Sequence, residues 1–171
     1  MFSFLHFKKN IQKQEPVVFQ KDNDKKWAEL QERYFKAFGE QRFSAIYYIE
    51  NERARLLFDE KKYKGALQFF LRAMFVDVQV SSWHIKKGFC KIDTFINLLG
   101  DCARCVAYLD LTKEQFKDIV LNIPVEKGVD FTFSIKELLP YYLKAFDRYT
   151  KEKEKYERKY KTRFLTGKKI S

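Results

Sequence analysis

The chain has 171 residues, of which eighteen are Phe, ten are Tyr and two are Trp, but only six are Gly and three are Pro. Few chain breakers and many large apolar side chains favour long elements, and the 3.6-residue spacing of the apolar groups makes these elements helices. Three cysteines at irregular spacing exclude a disulfide-rich scaffold. We therefore expect a single all-α domain.

The formal net charge of +11 is concentrated at the two ends of the chain. Residues 1–26 carry +3, residues 27–149 carry +2 and residues 150–171 carry +6. The central part is nearly neutral, which argues against a basic groove through the domain. The excess at the ends indicates contact with a polyanion by the tails, or simply solubility.

The N-terminal stretch MFSFLHFKK predicts an arm rather than a secretory leader. Its apolar run is short, and its lysines follow the run instead of preceding it. The arm either lies as an amphipathic segment on a membrane or a partner, or docks its aromatic rings on the body. No stretch of the chain approaches the roughly 20 apolar residues of a membrane span, so we expect a cytoplasmic protein.

Three amphipathic helices are predicted at the start of the domain. Asp22 or Asp24 caps the first helix, and Gly39 is available as its left-handed terminator. The connections between the three helices are so short that the helices must be antiparallel neighbours. Their approximate bounds are 24–38, 40–58 and 62–76.

The segment 47–78 has small and large apolar residues at the spacing of a tightly packed helical hairpin. These residues are Ala54, Leu57, Tyr63, Ala66, Phe70 and Ala73. In this order the segment resembles one tetratricopeptide repeat, a helix-turn-helix unit of about 34 residues. It departs from the family at Glu50, Arg53 and Val78, where the family usually has Trp, Leu and Pro. A shift of 34 residues finds no second unit, so we expect one repeat-like hairpin among unlike helices.

The resemblance implies a right-handed, antiparallel array of about six or seven helices and a ligand on the inner surface of the first helix of the hairpin. Tyr48, Asn51, Arg55 and Phe58 would line that surface. Arg55 and Asn51 would supply donors for a carboxylate or a peptide backbone. The function implied is a non-enzymatic protein–protein interaction or scaffold module. The alternative is that the helix 24–38 covers the same rings.

The charges around this surface have the pattern of a solvated helix face. Glu50 and Glu52 lie close in sequence to Arg53 and Arg55. Carboxylates accompanied by cations at helical spacing are typical of exposed faces. With two histidines, and without a phosphate-binding glycine loop or a nucleophile motif, the sequence predicts no enzyme activity and no cofactor.

Further helices are predicted between residues 81 and 124. One begins at Ser81 or Ser82 and runs to Cys90, and an apolar pattern continues over 92–109 with Gly100 as a possible break. Thr112 and Gln115 have the spacing of a capping box for the next helix. Pro124 ends that helix. The alternating residues Val129, Phe131 and Phe133 predict either a short strand or an extended connection that packs its rings on the helices.

The pair Cys102 and Cys105 in the order CxxC, with Cys90 and His84 upstream, provides four ligands of the kind that bind zinc. A half-site usually lies on a turn, however, whereas DCARCVAYL is typical of a helix interior. Cysteine is also often buried as a small apolar residue. The sequence therefore predicts no metal site, with a zinc site as the alternative.

A long final helix is predicted from a second capping box at Ser134 and Glu137, with Pro140 in its first turns. Cations and rings alternate near its end, as in a platform for single-stranded nucleic acid. The alternative is a tyrosine stripe that packs on the body or on a second copy in a homodimer. The residues of the nucleic-acid platform are Lys155, Tyr156, Arg158, Lys159, Tyr160, Lys161 and Arg163.

The predicted domains are a flexible arm (1–21), a helical domain (22–164) and a disordered basic tail (165–171).

Overall fold

The structure is a computed structural model that describes residues 21–98 and 100–165, with side chains described within 23–98 and 100–151. In these residues the protein is all-helical, with seven α-helices and no strand, which confirms the predicted fold class. The helices are α1 (Lys21–Gly39), α2 (Phe43–Asp59), α3 (Tyr63–Val80), α4 (Ser82–Lys86), α5 (Asp101–Leu109), α6 (Lys113–Leu121) and α7 (Ile135–Leu165). The predicted N-terminal arm and C-terminal tail lie outside the described residues, apart from their innermost positions.

The turns that follow α1 and α2 have the same structure. Each contains a non-glycine residue in the left-handed conformation, Gln41 with φ 54° and Lys61 with φ 60°. The amide N–H groups of this residue and the next one bond back to the last turn of the helix, which satisfies carbonyls that would otherwise lack partners. The bonds join Gln41 to Phe38, Arg42 to Ala37, Lys61 to Phe58 and Lys62 to Leu57. The prediction that Gly39 is the left-handed terminator of α1 is wrong, because the helix ends at Gly39 but the left-handed residue is Gln41, two positions later.

Small residues bring α2 and α3 close together in an antiparallel hairpin. Ala54 and Ala66 are completely buried. A Cβ atom at Gly65 would lie 3.3 Å from a methyl group of Leu57, closer than ordinary van der Waals contact, so the two helices meet tightly at this position. The sequence prediction of a tight hairpin at 47–78 is confirmed in this respect.

Helix α3 lies at the centre of the fold and packs against α2, α4, α5 and α6. Helix α7 is fixed to it by a buried hydrogen bond, in which the hydroxyl of Tyr142 donates to the carbonyl of Leu71 over 2.8 Å. Helix α6 packs along α7, and the rings of Phe116 and Phe146 stack there with their centres 4.8 Å apart. The outer helices therefore complete the core around the α2–α3 hairpin.

The segment 81–111 is less helical than its apolar pattern predicts. Helix α4 ends at Lys86 and not at Cys90, because Gly88 takes a left-handed conformation with φ 76°. Only a 3-10 turn at Ile92–Thr94 and the nine residues of α5 are helical in the apolar stretch that follows. Gly100, with φ 70°, separates these two elements, as the sequence indicated.

The connection between α6 and α7 packs its rings on the helices, and the alternative of a short strand is not found in it. Phe131 lies edge-on against Phe75, with ring centres 5.0 Å apart. The side-chain amide of Gln79 makes the contacts that a strand partner would make: it donates to the carbonyl of Phe133 over 2.8 Å and accepts from the N–H group of that residue over 3.0 Å. One side chain thus satisfies the extended backbone.

Both predicted capping boxes are present. The hydroxyl of Thr112 accepts from the N–H group of Gln115, and the side chain of Gln115 accepts from the N–H group of Thr112. Ser134 and Glu137 form the same reciprocal pair at α7, and these bonds hold the pKa of Glu137 below its usual value. Pro140 lies in the second turn of α7, and the helix continues through it.

Candidate functional site

Helix α2 has two faces with opposite character. One face is buried between α1 and α3, and the other carries the four residues that the sequence assigns to partner binding. Tyr48 is 65% exposed, and its ring packs edge-to-face with that of Tyr47, with the ring centres 5.1 Å apart. Asn51 is half-buried and donates one side-chain N–H group to the carbonyl of Tyr47 over 3.0 Å. Arg33 of α1 forms an ion pair with Glu52 of α2 over 3.1 Å. Helix α1 therefore contacts α2 beside this face but does not cover Tyr48.

At the other end of this face, α5 adds groups that the sequence did not assign. Arg55 lies 3.8 Å from the carboxylate of Asp101, and Arg104 lies 3.5 Å from the same carboxylate. The two arginine side chains are 69% and 62% exposed. The guanidinium of Arg104 also lies 5.7 Å from the ring centre of Phe58. Two cations therefore share one anion at the edge of the predicted surface.

An aromatic cluster lies next to the paired arginines. The ring of Phe58 packs edge-on against Tyr63, with centres 5.3 Å apart, and Tyr108 stacks on Tyr63 at 4.5 Å. Tyr108 remains largely exposed. We name the whole surface the outer α2–α5 face; it consists of Tyr48, Asn51, Arg55, Phe58, Arg104 and Tyr108.

The opposite face of α2 contains charges that the sequence pattern places in solvent. That interpretation is wrong for Glu50 and Arg53, which are 0% and 4% exposed. Arg53 donates to Glu50 over 3.1 Å, and its guanidinium lies 4.7 Å from the ring centres of both Trp27 and Phe69. Burial among these rings lowers the pKa of Arg53, although Glu50 opposes the shift. An ion pair thus occupies positions where the tetratricopeptide pattern has large apolar residues.

A second buried ion pair joins this region to the connection before α7. Arg72 of α3 pairs with Glu126 and donates to the hydroxyl of Tyr34, and that hydroxyl donates to Glu126. Burial raises the pKa of Tyr34. Burial alone would lower the pKa of Arg72, but Glu50 and Tyr34 hold it above its usual value. We name Tyr34, Glu50, Arg53, Arg72 and Glu126 the buried polar cluster; it contains two cations and two anions.

The structure does not bring the four possible zinc ligands together. Cys102 and Cys105 lie buried inside α5, whereas His84 is exposed and Cys90 is half-buried near the end of α4. Burial raises the pKa of both buried thiols, that of Cys105 to about 12, so neither is a ready thiolate ligand at neutral pH. Among the side chains that the structure describes, in 23–98 and 100–151, no three His, Cys, Asp or Glu residues are placed to hold a metal ion.

The residues of the nucleic-acid alternative lie on the last part of α7. Its backbone is helical to Leu165, but the side chains beyond Lys151 lie outside those described. The positions concerned are Lys155, Tyr156, Arg158, Lys159, Tyr160, Lys161 and Arg163.

Comparisons with protein-family models, with curated proteins and with solved structures find no significant match to this chain. In the part of the chain that the structure describes, no helix is both long and apolar enough to cross a membrane.

Proposed function

We propose that the chain is a non-enzymatic protein–protein interaction module that binds an acidic peptide segment of a partner on its outer α2–α5 face. The observation that carries the proposal is the sharing of Asp101 by Arg55 and Arg104, both of which remain largely exposed. Each guanidinium has five N–H donors, and the single carboxylate of Asp101 can accept from only a few of the ten donors that the two arginines present. The remaining donors and the positive charge fit a second carboxylate, supplied by the partner.

The surrounding residues suit a peptide. Tyr48 and Tyr108 supply exposed rings on the same face, and Asn51 has a second N–H group and an oxygen for a peptide backbone. Ala54 and Ala66 are completely buried, so α2 and α3 pack tightly beneath the face. The rigid packing beneath α2 lowers the ordering cost of binding.

The proposal is tested with an Arg55→Glu variant. Peptides selected from a displayed random library on the wild-type chain provide the probe, and their dissociation constants are measured on both proteins. We expect acidic peptides, and a loss of affinity of about tenfold or more in the variant, because attraction becomes repulsion. The matched control is Arg148→Glu: Arg148 is 58% exposed and lies 3.9 Å from a single carboxylate, that of Asp93, on another surface.

Three results would contradict this assignment. The first is a selected peptide set without acidic residues. The second is an Arg55→Glu variant that binds the selected peptides as the wild type does, and the third is an equal loss of peptide affinity in Arg148→Glu.

A second copy of the chain is the other protein partner that the face could bind, and light scattering of the wild type and of Arg55→Glu tests that arrangement. The unpaired cysteines fit a reducing compartment such as the cytoplasm.

The second candidate function is binding of single-stranded nucleic acid by the end of α7. The supporting observation is that the backbone stays helical to Leu165, which places the alternating cations and rings of 155–163 on one continuous helix. We expect labelled single-stranded RNA to bind with an affinity that falls steeply with salt. Deletion of residues 151–171 should abolish this binding, and an unchanged affinity would exclude the assignment.

A further inference from the structure

A second exposed surface lies at the end of α4. Helix α4 ends in a turn in which the N–H group of Phe89 bonds to the carbonyl of His84 over 2.9 Å and that of Gly88 bonds to Ile85 over 3.0 Å. This motif fixes the direction of the chain after the helix. It brings the rings of Trp83 and Phe89 within 5.8 Å of each other.

Both rings are unusually exposed for their size. Trp83 is 58% and Phe89 is 71% exposed, and Val80 beside them is also exposed. The ring of His84 lies beside both, with its centre 5.0 Å from that of Trp83 and 6.3 Å from that of Phe89. We name Val80, Trp83, His84 and Phe89 the aromatic tip. Large apolar groups that remain in water at a fixed turn mark an interaction surface.

The charged residues that follow the tip helix in sequence are lysines. Lys86, Lys87 and Lys91 are exposed, and the sequence contains no acidic residue between Asp77 and Asp93. The surface therefore combines an apolar centre with three neighbouring cations. Its complement is an anionic surface with an accessible apolar layer beneath the charges.

We propose that the aromatic tip docks on the surface of an anionic lipid bilayer. Trp83 and Phe89 enter the interface between headgroups and acyl chains, where tryptophan is favoured, and the three lysines contact the lipid phosphates. The two rings pack against each other at an interplanar angle of 49°, forming one apolar knob instead of the separate flat faces on which nucleic-acid bases stack. The charge of +6 within residues 150–171 adds to the attraction.

The test measures co-sedimentation of the full chain with phosphatidylcholine vesicles and with vesicles that also contain phosphatidylserine. We expect binding to the anionic vesicles only, weakened by salt. The Trp83→Ser/Phe89→Ser double variant should lose about tenfold or more in affinity, because it removes the apolar anchor. Loss of the three lysine charges by substitution with Gln should reduce it by roughly a hundredfold, since each lysine near an anionic surface contributes about a fivefold factor.

The matched control is a Leu121→Ser/Lys36→Gln variant, which removes an exposed apolar group and a cation elsewhere. Its vesicle binding should equal that of the wild type. Circular dichroism shows whether each variant retains its helices. Unchanged binding in the Trp83→Ser/Phe89→Ser variant, equal binding to both vesicle types or an equal loss in the control would overturn the proposal.

Fluorescence provides a second readout because the chain has only two tryptophans. A Trp27→Phe variant reports on Trp83 alone, and we expect its emission to shift to the blue when anionic vesicles are added. The Trp83→Phe variant, which retains only Trp27, should show no shift. Difference spectra between the wild type and Trp83→Phe give the same information if Trp27→Phe fails to fold. If the emission of Trp83 is already blue-shifted without vesicles, other parts of the protein cover the tip, and the proposal is contradicted. Binding of single-stranded RNA instead of vesicles, lost in the Trp83→Ser/Phe89→Ser variant, would also contradict it.

Discussion

The two faces of α2 carry the same kinds of residue in opposite environments. The face of α2 that is buried between α1 and α3 is its inner face in this fold. On it, Glu50 and Arg53 form an ion pair that is almost completely buried between aromatic rings. On the outer face, Arg55 pairs with Asp101 while most of its side chain stays in water. Burial, more than the presence of an ion pair, decides what a charge on this helix does. Removal of one inner charge leaves its partner uncompensated in the core, whereas the outer charges remain available to a ligand.

The largest effect is expected when the inner set is broken. A Glu50→Ala variant leaves Arg53 and Arg72 close together in the core with one of their two anions removed, and loss of one member of a buried ion pair costs about 3–5 kcal/mol. The free energy of unfolding, measured in urea, should fall by that amount. An unfolding free energy within about 1 kcal/mol of the wild type would contradict the burial of this pair.

A double variant sharpens the same test. Glu50→Leu/Arg53→Leu removes both charges and places apolar residues at positions where the tetratricopeptide resemblance has them, while Arg72 keeps its pair with Glu126. Apolar replacement of a whole buried pair is often neutral or stabilising. The double variant should therefore be more stable than Glu50→Ala. A double variant less stable than Glu50→Ala would show that the ion pair itself stabilises the fold.

The next effect concerns the hydroxyl of Tyr34. It accepts from Arg72 and donates to Glu126, so Tyr34→Phe leaves two buried charged groups each short of one hydrogen bond. We expect a loss of about 1–3 kcal/mol in urea unfolding. Tyr48→Phe is the matched control, because the exposed hydroxyl on the outer face bonds to water in either state and its removal should change stability by a few tenths of a kcal/mol at most. Equal effects of the two substitutions would remove the distinction between the faces.

The buried thiols of Cys102 and Cys105 make the stability of the fold depend on pH, although they are neutral at physiological pH. Burial raises the pKa of Cys102 and Cys105 above that of an unfolded thiol, which is about 8.5. The stability that these neutral thiols contribute is fully present below that pH, and it is lost as the pH rises further, because only the unfolded chain ionises. We expect the free energy of unfolding to fall between pH 8.5 and 10 by up to about 1 kcal/mol per pH unit for each thiol.

The slope against pH separates these thiols from other groups. Cys102→Ala/Cys105→Ala should flatten it, even if the double variant is less stable at pH 7. A slope that survives in the double variant would assign the pH dependence to other residues.

Local signals in the sequence were sufficient for much of the fold. The capping residues Thr112 and Ser134 and the short connections after α1 and α2 predicted helix starts and an antiparallel hairpin, because each depends on neighbours within a few positions. The helix that the apolar pattern extends to Cys90 ends earlier, at Lys86, because the chain makes a left-handed turn at Gly88 that the pattern does not predict. Over 92–109 the apolar spacing cannot distinguish a helix from an irregular chain that is buried on several sides.

The same limit explains what was missed at the candidate site. Charged residues at helical spacing are usually exposed, so Glu50 and Arg53 were assigned to solvent; their burial depends on Trp27 and Phe69 in two other helices. Arg104 joins the outer face only because α5 packs beside α2, and the two contacting positions are about fifty residues apart in sequence. Tertiary packing, which no local window contains, selects these residues.

The smallest effect on stability is the one that most directly tests the proposed role of the outer face. Arg55→Ala removes an exposed pair with Asp101, and such pairs contribute about 0–1 kcal/mol, so its unfolding free energy should lie within about 0.5 kcal/mol of the wild type. The selected acidic peptides should nevertheless bind it more weakly than they bind the wild type. A loss of several kcal/mol in stability would mean that Arg55 supports the packing of α5 on α2. The loss of binding in Arg55→Glu would then report a disturbed fold instead of a contact with the partner, so the stability of Arg55→Ala decides how the binding experiment is interpreted.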